Sequence, residues 1–164
     1  MSTPTCRRQL TLFVPEPART PVEEVRRVLD PRQFALIPAH VTLCRESELD
    51  PWPQVHTALA RIGAVEVTLD FGDPVQLLDG CVMLPVVGSS SAYDNLRSRL
   101  LGPACRSHKP HLTLLHPRHA AGKVVDLRAL AREPLPRVIR FSVISVIEQV
   151  DAGPWCVVER FGSD

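Results

Sequence analysis

Two segments of the chain carry the same residue types in the same order: His40-Val41-Thr42-Leu43 and, 71 residues later, His111-Leu112-Thr113-Leu114. Each lies in a run that reads as a β-strand, where successive side chains point to opposite faces. His40 and Thr42 must then share a face, as must His111 and Thr113. Val41, Leu43, Leu112 and Leu114 face the other way and can anchor the strands in a core. Two such strands facing one cleft supply two titrating imidazoles and two neutral hydroxyl donors. That is what a phosphodiester needs in order to be cleaved without a metal.

A lone histidine in a strand is more often structural than catalytic, so one copy of a short motif means little. The second copy repeats at His, at Thr and at Leu, and proline precedes both: Pro38 two residues before His40, and Pro110 directly before His111. A residue before proline is pushed out of the helical region, which predicts an extended Lys109 as its strand begins. The plain alternative is two similar amphipathic strands by coincidence.

The elements that must position these residues can be read in order. Residues 9–14 alternate as a strand. Residues 22–29 carry helical apolar spacing, with Thr20 as a plausible N-cap, Pro21 at the first helical position and Glu23 placed as in a capping box. The His40 strand follows, then a helix over 51–62 stopped by Gly63, a strand over 64–71 and a turn at Gly72-Asp73-Pro74. The second half repeats this order: a strand over 81–87, a helix carrying Leu96, Leu100 and Leu101, the His111 strand, a helix near 124–132, and strands over 138–149 and 155–160. Adjacent strands bracketing the helices favour α+β over a doubly wound parallel sheet. The expectation is one bilobal domain over residues 1–164. Its two pseudo-symmetric lobes, halves of about 8–72 and 80–161, would each be a small mostly antiparallel sheet with helices, around a central active-site groove.

Composition narrows the function classes. At 164 residues, with 45% hydrophobic and 23% charged residues, the chain suits one compact domain. A formal charge of +1 argues against a protein that grips long nucleic acid through many phosphates. A small phosphate ester or an RNA end remains compatible. Arginine outnumbers lysine 17 to 2, a bias that suits phosphate contacts but equally reflects genome composition. The five cysteines form no C-x-x-C pair, so neither a zinc knuckle nor a redox motif is available. Reduced thiols, the absence of a signal-peptide apolar region in residues 1–20 and the lack of a membrane-length apolar run predict a cytoplasmic protein. No protein partner is implied, and a monomer is expected.

In its motifs and its order of elements the chain resembles the 2H phosphoesterase superfamily, which includes bacterial 2′-5′ RNA ligase-like proteins and cyclic phosphodiesterases. The resemblance rests on the H-x-[ST]-hydrophobic segments at 40–43 and 111–114. It implies a duplicated two-lobe fold, His40 and His111 as the catalytic pair, and Thr42 and Thr113 as phosphate-holding hydroxyls. Many relatives follow the second motif closely with a basic residue, whereas here Leu115-His116-Pro117 comes before Arg118.

With a 2′,3′-cyclic phosphate of a nucleotide or RNA end, one histidine would accept a proton from the attacking water. The other would protonate the departing ribose oxygen. An unperturbed pKa of about 6.5 suits both roles. Each well-placed acid or base contributes about 10²–10⁴-fold, so the pair could lower the barrier by roughly 5–10 kcal/mol. The threonine hydroxyls would donate to the nonbridging oxygens as charge gathers there. The residues leave open which histidine is the base. They also leave open hydrolysis against its reverse, ATP-independent 2′-5′ ligation, and a non-catalytic nucleotide- or RNA-binding module.

Other residues carry weaker signals. Arg45 and Arg118 follow the motif strands and could reach a second phosphate, or be ordinary solvated arginines. Phe13 and Tyr93 could stack on a base, though Phe13 could equally be core. His108, His111, His116 and His119 crowd within twelve residues. Alternation would put His108 and His111 on opposite strand faces, and no H-E-x-x-H pattern completes a site, so no metal and no cofactor is expected. A serine run at 89–91 reads as N-capping for the helix that follows.

Overall fold

The computed structural model describes residues 4–163. Among these the chain forms nine strands and five α-helices: β1 (Cys6–Phe13), α1 (Arg19–Leu29), α2 (Pro31–Leu36), β2 (His40–Cys44), α3 (Trp52–Ala60), β3 (Val67–Phe71), β4 (Val75–Gln76), β5 (Val82–Val87), α4 (Ser91–Leu101), β6 (His111–Leu115), α5 (Leu127–Leu130), β7 (Val138–Phe141), β8 (Val143–Val150) and β9 (Trp155–Gly162). The strands join in one antiparallel sheet of order β7-β3-β5-β6-β2-β1-β8-β9, with β4 on β5. The class is α+β, as expected. No helix is long and apolar enough to cross a membrane among the described residues.

The two histidine strands are the central pair of the sheet. Each is hydrogen-bonded on its outer side to the strand that begins its half, β2 to β1 and β6 to β5. The burial of β2 and β6 alternates identically along their length. Val41, Leu43 and Leu112 are fully buried and Leu114 nearly so, while both histidines and both motif threonines are half-buried on the opposite face. The crossover helices exchange sides: α1, which follows β1, packs against β6, and α4, which follows β5, packs against β2. Each half thus covers the back of the other's histidine strand.

Strands are exchanged between the segments 8–72 and 80–161. β3, from the first of these segments, lies between β5 and β7, whereas β8 and β9, from the second, extend the sheet beyond β1. The two sides of the sheet therefore draw strands from both segments. The expected strand over 138–149 is likewise two strands, broken at Ser142. β7 pairs with β3 at one edge and β8 pairs with β1 near the other. A chain that passes from one edge to the far side in a single residue requires the sheet to curl.

Local capping accounts for the remaining differences. Thr20 lies inside α1 rather than at its N-cap, because the Glu16 carboxylate already accepts both its hydroxyl (3.0 Å) and its backbone N–H (3.3 Å). Helix α2, absent from the sequence expectation, starts at an Asp30 N-cap with Pro31 in its first turn. The helix near 124–132 is one turn, capped by Asp126. Ser90 stands at the N-cap of α4, but its hydroxyl donates to the Asp94 carboxylate at 2.8 Å and caps no backbone group.

Candidate active site

The antiparallel register sets the site. Val41 pairs with Leu112 across the β2–β6 seam. One residue to either side, His40 stands against Thr113 and Thr42 against His111. The four motif residues line one cavity of about 220 Å³. Arg7, Arg26 and Arg118 border it and no carboxylate does. Arg7 is paired with Glu46 at 2.9 Å and Arg26 with Glu23 at 2.6 Å, so Arg118 is the cation whose charge makes the cavity favour an anion.

Both imidazoles are oriented in the same way. His40 donates its Nδ1–H to the carbonyl of Pro38 (2.8 Å), and His111 donates its Nδ1–H to the carbonyl of Lys109 (3.0 Å). A carbonyl can only accept, so the proton of each neutral ring is held on Nδ1 and Nε2 is the free nitrogen. Burial pushes the His40 pKa down to about 4; the Pro38 carbonyl opposes this, and the positive charges of Arg26, His111 and His116 add to it. The Thr42 hydroxyl accepts from Gln9 Nε2 at 3.2 Å, which leaves its own proton free to donate. The same amide donates to Thr11, which pairs with Thr42 across β1–β2.

The weaker candidates separate. Arg118 borders the cavity with the histidines and makes no ion pair among the described residues. Arg45 lies elsewhere, in a larger cavity of about 700 Å³ that shares only His111 with the first. Phe13 pairs with His40 in the sheet, its ring edge-on to the imidazole at 6.2 Å, and faces a third cavity with Trp155. Tyr93 is not a stacking residue. It is fully buried on the back of β2, where its hydroxyl donates to the Thr42 carbonyl at 2.7 Å. As that proton is committed, the 2.8 Å contact with His108 has the Nδ1–H of His108 donating to the Tyr93 oxygen. His108 precedes β6 rather than lying in it, so strand alternation does not set the side to which its ring points. Its ring sits 5.9 Å from that of His111, on the same side.

Several site residues were not singled out from sequence. Arg7 and Gln9 follow from alternation once Thr11 and Phe13 are placed beside Thr42 and His40. Arg26, Arg97 and Asp30 carried no such signal, because the contacts that bring them to the site, of Arg26 with the Ile37 carbonyl, of Arg97 with Glu48 and of Asp30 with His116 and His119, lie beyond local spacing. Arg97 is buried in α4, where it pairs with Glu48 at 2.6 Å and donates to the carbonyls of Leu43 and Arg106. Asp30, also buried, accepts from the backbone of Gln33, from the backbone of His116 at 2.8 Å and from His119 Nδ1 at 2.8 Å. It thereby ties the α1–α2 corner to the segment after β6. Among the described residues no group of three His, Cys, Asp or Glu is placed to hold a metal ion.

No protein-family description matches the chain, and no curated protein is significantly similar to it in sequence. Solved structures do match over nearly its whole length. Escherichia coli LigT complexed with phosphate superposes with a TM-score of 0.66 at 19% identity, covering 98% of each chain. LigT complexed with 3′-AMP gives 0.66 at 17% identity over 96% of this chain and 97% of that one. A protein described as a phosphoesterase gives 0.60 at 15% identity over 96% and 98%. The chain therefore has the two-lobed fold of E. coli LigT and of this phosphoesterase, the fold that its resemblance to the 2H phosphoesterases implies.

Proposed function

We propose that the protein is a metal-independent phosphodiesterase that opens a 2′,3′-cyclic phosphate on a nucleotide or RNA end. One observation carries this reading. Two imidazoles, each with its proton fixed on Nδ1 by a backbone carbonyl, border one anion-favouring cavity with two threonine hydroxyls. That E. coli LigT was solved with phosphate and with 3′-AMP supports a nucleotide as ligand.

His40 is the base. Burial and its cationic neighbours keep it neutral, so its Nε2 lone pair takes the proton of the attacking water. The resulting P–O bond forms as the bond from phosphorus to the ribose oxygen breaks. His111, in its protonated form, gives its Nε2 proton to that leaving oxygen. A charge on both rings at once is disfavoured by their mutual repulsion, so one base and one acid is the preferred arrangement. Thr42 and Thr113 donate to the nonbridging oxygens as negative charge gathers.

A second reading is ligation, in which a nucleoside 5′-hydroxyl replaces water as the nucleophile, the bond from phosphorus to the 3′ oxygen breaks, and the cyclic end is joined in a 2′-5′ linkage. The cavity lined by Phe13 and Trp155 supports it, because aromatic side chains can take the base of an incoming nucleoside. Incubation with nucleoside 2′,3′-cyclic phosphates in EDTA, with and without a 5′-hydroxyl oligonucleotide, tests both. Turnover to a 2′- or 3′-monophosphate is expected to survive chelation. Loss of turnover that added zinc or manganese restores would overturn the metal-independent mechanism. Binding without any turnover would make the protein a nucleotide-binding module.

A further inference from the structure

The cavity of about 700 Å³ beyond His111 is three times the size of the one holding the four motif residues, and it is basic. Arg45, Arg106 and Lys109 border it, all exposed and none in an ion pair among the described residues. Glu48, the acid in its wall, is already engaged by the Arg97 guanidinium at 2.6 and 3.2 Å and by the backbone N–H of Arg45 at 2.9 Å. The free charge of this cavity is therefore positive. Its volume is that of a nucleotide-sized site.

We propose that this cavity is a second subsite, which grips the phosphate on the 5′ side of the ribose bearing the cyclic phosphate, so that the substrate is an oligonucleotide end. The inference rests on the function proposed above. His111 is the residue common to the two cavities. As the acid, it must lie against the leaving ribose oxygen, which places that ribose on its side. The 5′ carbon of the ribose then leads away from the reacting phosphate and towards Arg45, Arg106 and Lys109.

His108 adds a second element of recognition. Its Nδ1–H is committed to Tyr93, so Nε2 is an acceptor in the wall of this cavity. Burial, with the nearby charges of Arg45, Arg97 and His111, pushes its pKa down to about 4 against the opposing charge of Glu48. It is a neutral acceptor at physiological pH, suited to a sugar hydroxyl rather than to a phosphate. A 2′-hydroxyl is such a donor, and it is the group that separates RNA from DNA.

The test compares kcat/KM for a nucleoside 2′,3′-cyclic phosphate, the same compound bearing a 5′-phosphate, and a dinucleotide ending in that cyclic phosphate. The dinucleotide is expected to exceed the plain nucleotide by at least about tenfold, the scale of one or two charge-assisted hydrogen bonds. Its rate should fall more steeply with added salt. Arg106→Ala and Lys109→Ala should each collapse that ratio, and Arg106→Lys should keep most of it. A wild-type ratio near one, or a ratio unchanged in both alanine variants, would overturn the subsite while leaving the proposed reaction standing. Equal rates for the 5′-phosphorylated nucleotide and the dinucleotide would keep the phosphate subsite and overturn the oligonucleotide end as its ligand. If no substrate turns over, the reaction fails but the subsite is still decided by fluorescence anisotropy. A dinucleotide ending in a 3′-phosphate should then bind at least about tenfold more tightly than the mononucleotide 3′-phosphate, and equal affinities would overturn it.

Discussion

Val41 of β2 stands directly opposite Leu112 of β6, and through this couple the two halves of the sheet meet. Both side chains are fully buried, so the seam is held from the core side while the motif histidines and threonines lie on the other face. A shift of the seam by one residue would turn His111 and Thr113 into the core and break the cavity. Packing at this couple and geometry at the site are one property.

Leu112→Ala should therefore cost about 2–5 kcal/mol in urea unfolding, the range for a large-to-small change at a buried site. Activity should fall as well, although no atom that touches substrate has been removed. A loss below about 1 kcal/mol with full activity would show that the seam does not depend on this packing.

His40→Ala and His111→Ala should each reduce single-turnover cleavage of a cyclic phosphate by several powers of ten. The double variant should lose far less than the product of the two, because acid and base act as a unit. Thr42→Ala and Thr113→Ala should each cost about 10²–10³. A wild-type rate in either histidine variant would remove the two-histidine mechanism.

The pH profile of kcat/KM should be bell-shaped. The base must be neutral to work, and His40 is held near 4. Activity should accordingly rise with pH through a limb well below 6.5 and fall again as the acid loses its proton. An acid limb at or above 6.5 would assign the base to another group.

Tyr93→Phe should leave the core volume unchanged and remove the hydroxyl that donates to the Thr42 carbonyl and accepts from His108. The expected cost is about 1–3 kcal/mol, since a buried acceptor and a buried donor both lose their partner. A drop in kcat larger than the drop in 1/KM would show that Tyr93 positions Thr42 for the transition state. Equal stability to wild type would show that water replaces the hydroxyl.

Stability should fall as the pH is lowered from about 6.5 to about 4. Burial holds His40 and His108 near 4 in the folded protein, and holds His116 below its ordinary value, whereas the unfolded chain protonates near 6.5. Above 6.5 both states are neutral and the full stability is present. Between the two values the unfolded chain binds protons that the folded one refuses, and the balance shifts towards unfolding. Urea midpoints across pH 4 to 8 measure this, and His108→Gln should flatten the slope.

What the sequence determined by itself is local. Alternation around His40-Val41-Thr42-Leu43 and His111-Leu112-Thr113-Leu114 decides which side chains share a face, because the period of a strand is two wherever the strand lies. The prolines at 38 and 110, the helical stripes of α1, α3 and α4, and the α+β order follow from equally short-range rules. The tertiary structure decided what depends on distant partners. It placed β3 beside β5 and β7, set β8 and β9 beyond β1, and broke the run over 138–149 at Ser142 where the sheet curls. It buried Tyr93 behind Thr42 rather than beside a base, and it divided Arg45 and Arg118 between two cavities that share His111. A side chain's partner across a sheet or beneath a helix is set by how the whole chain packs, and no spacing within a few residues records it.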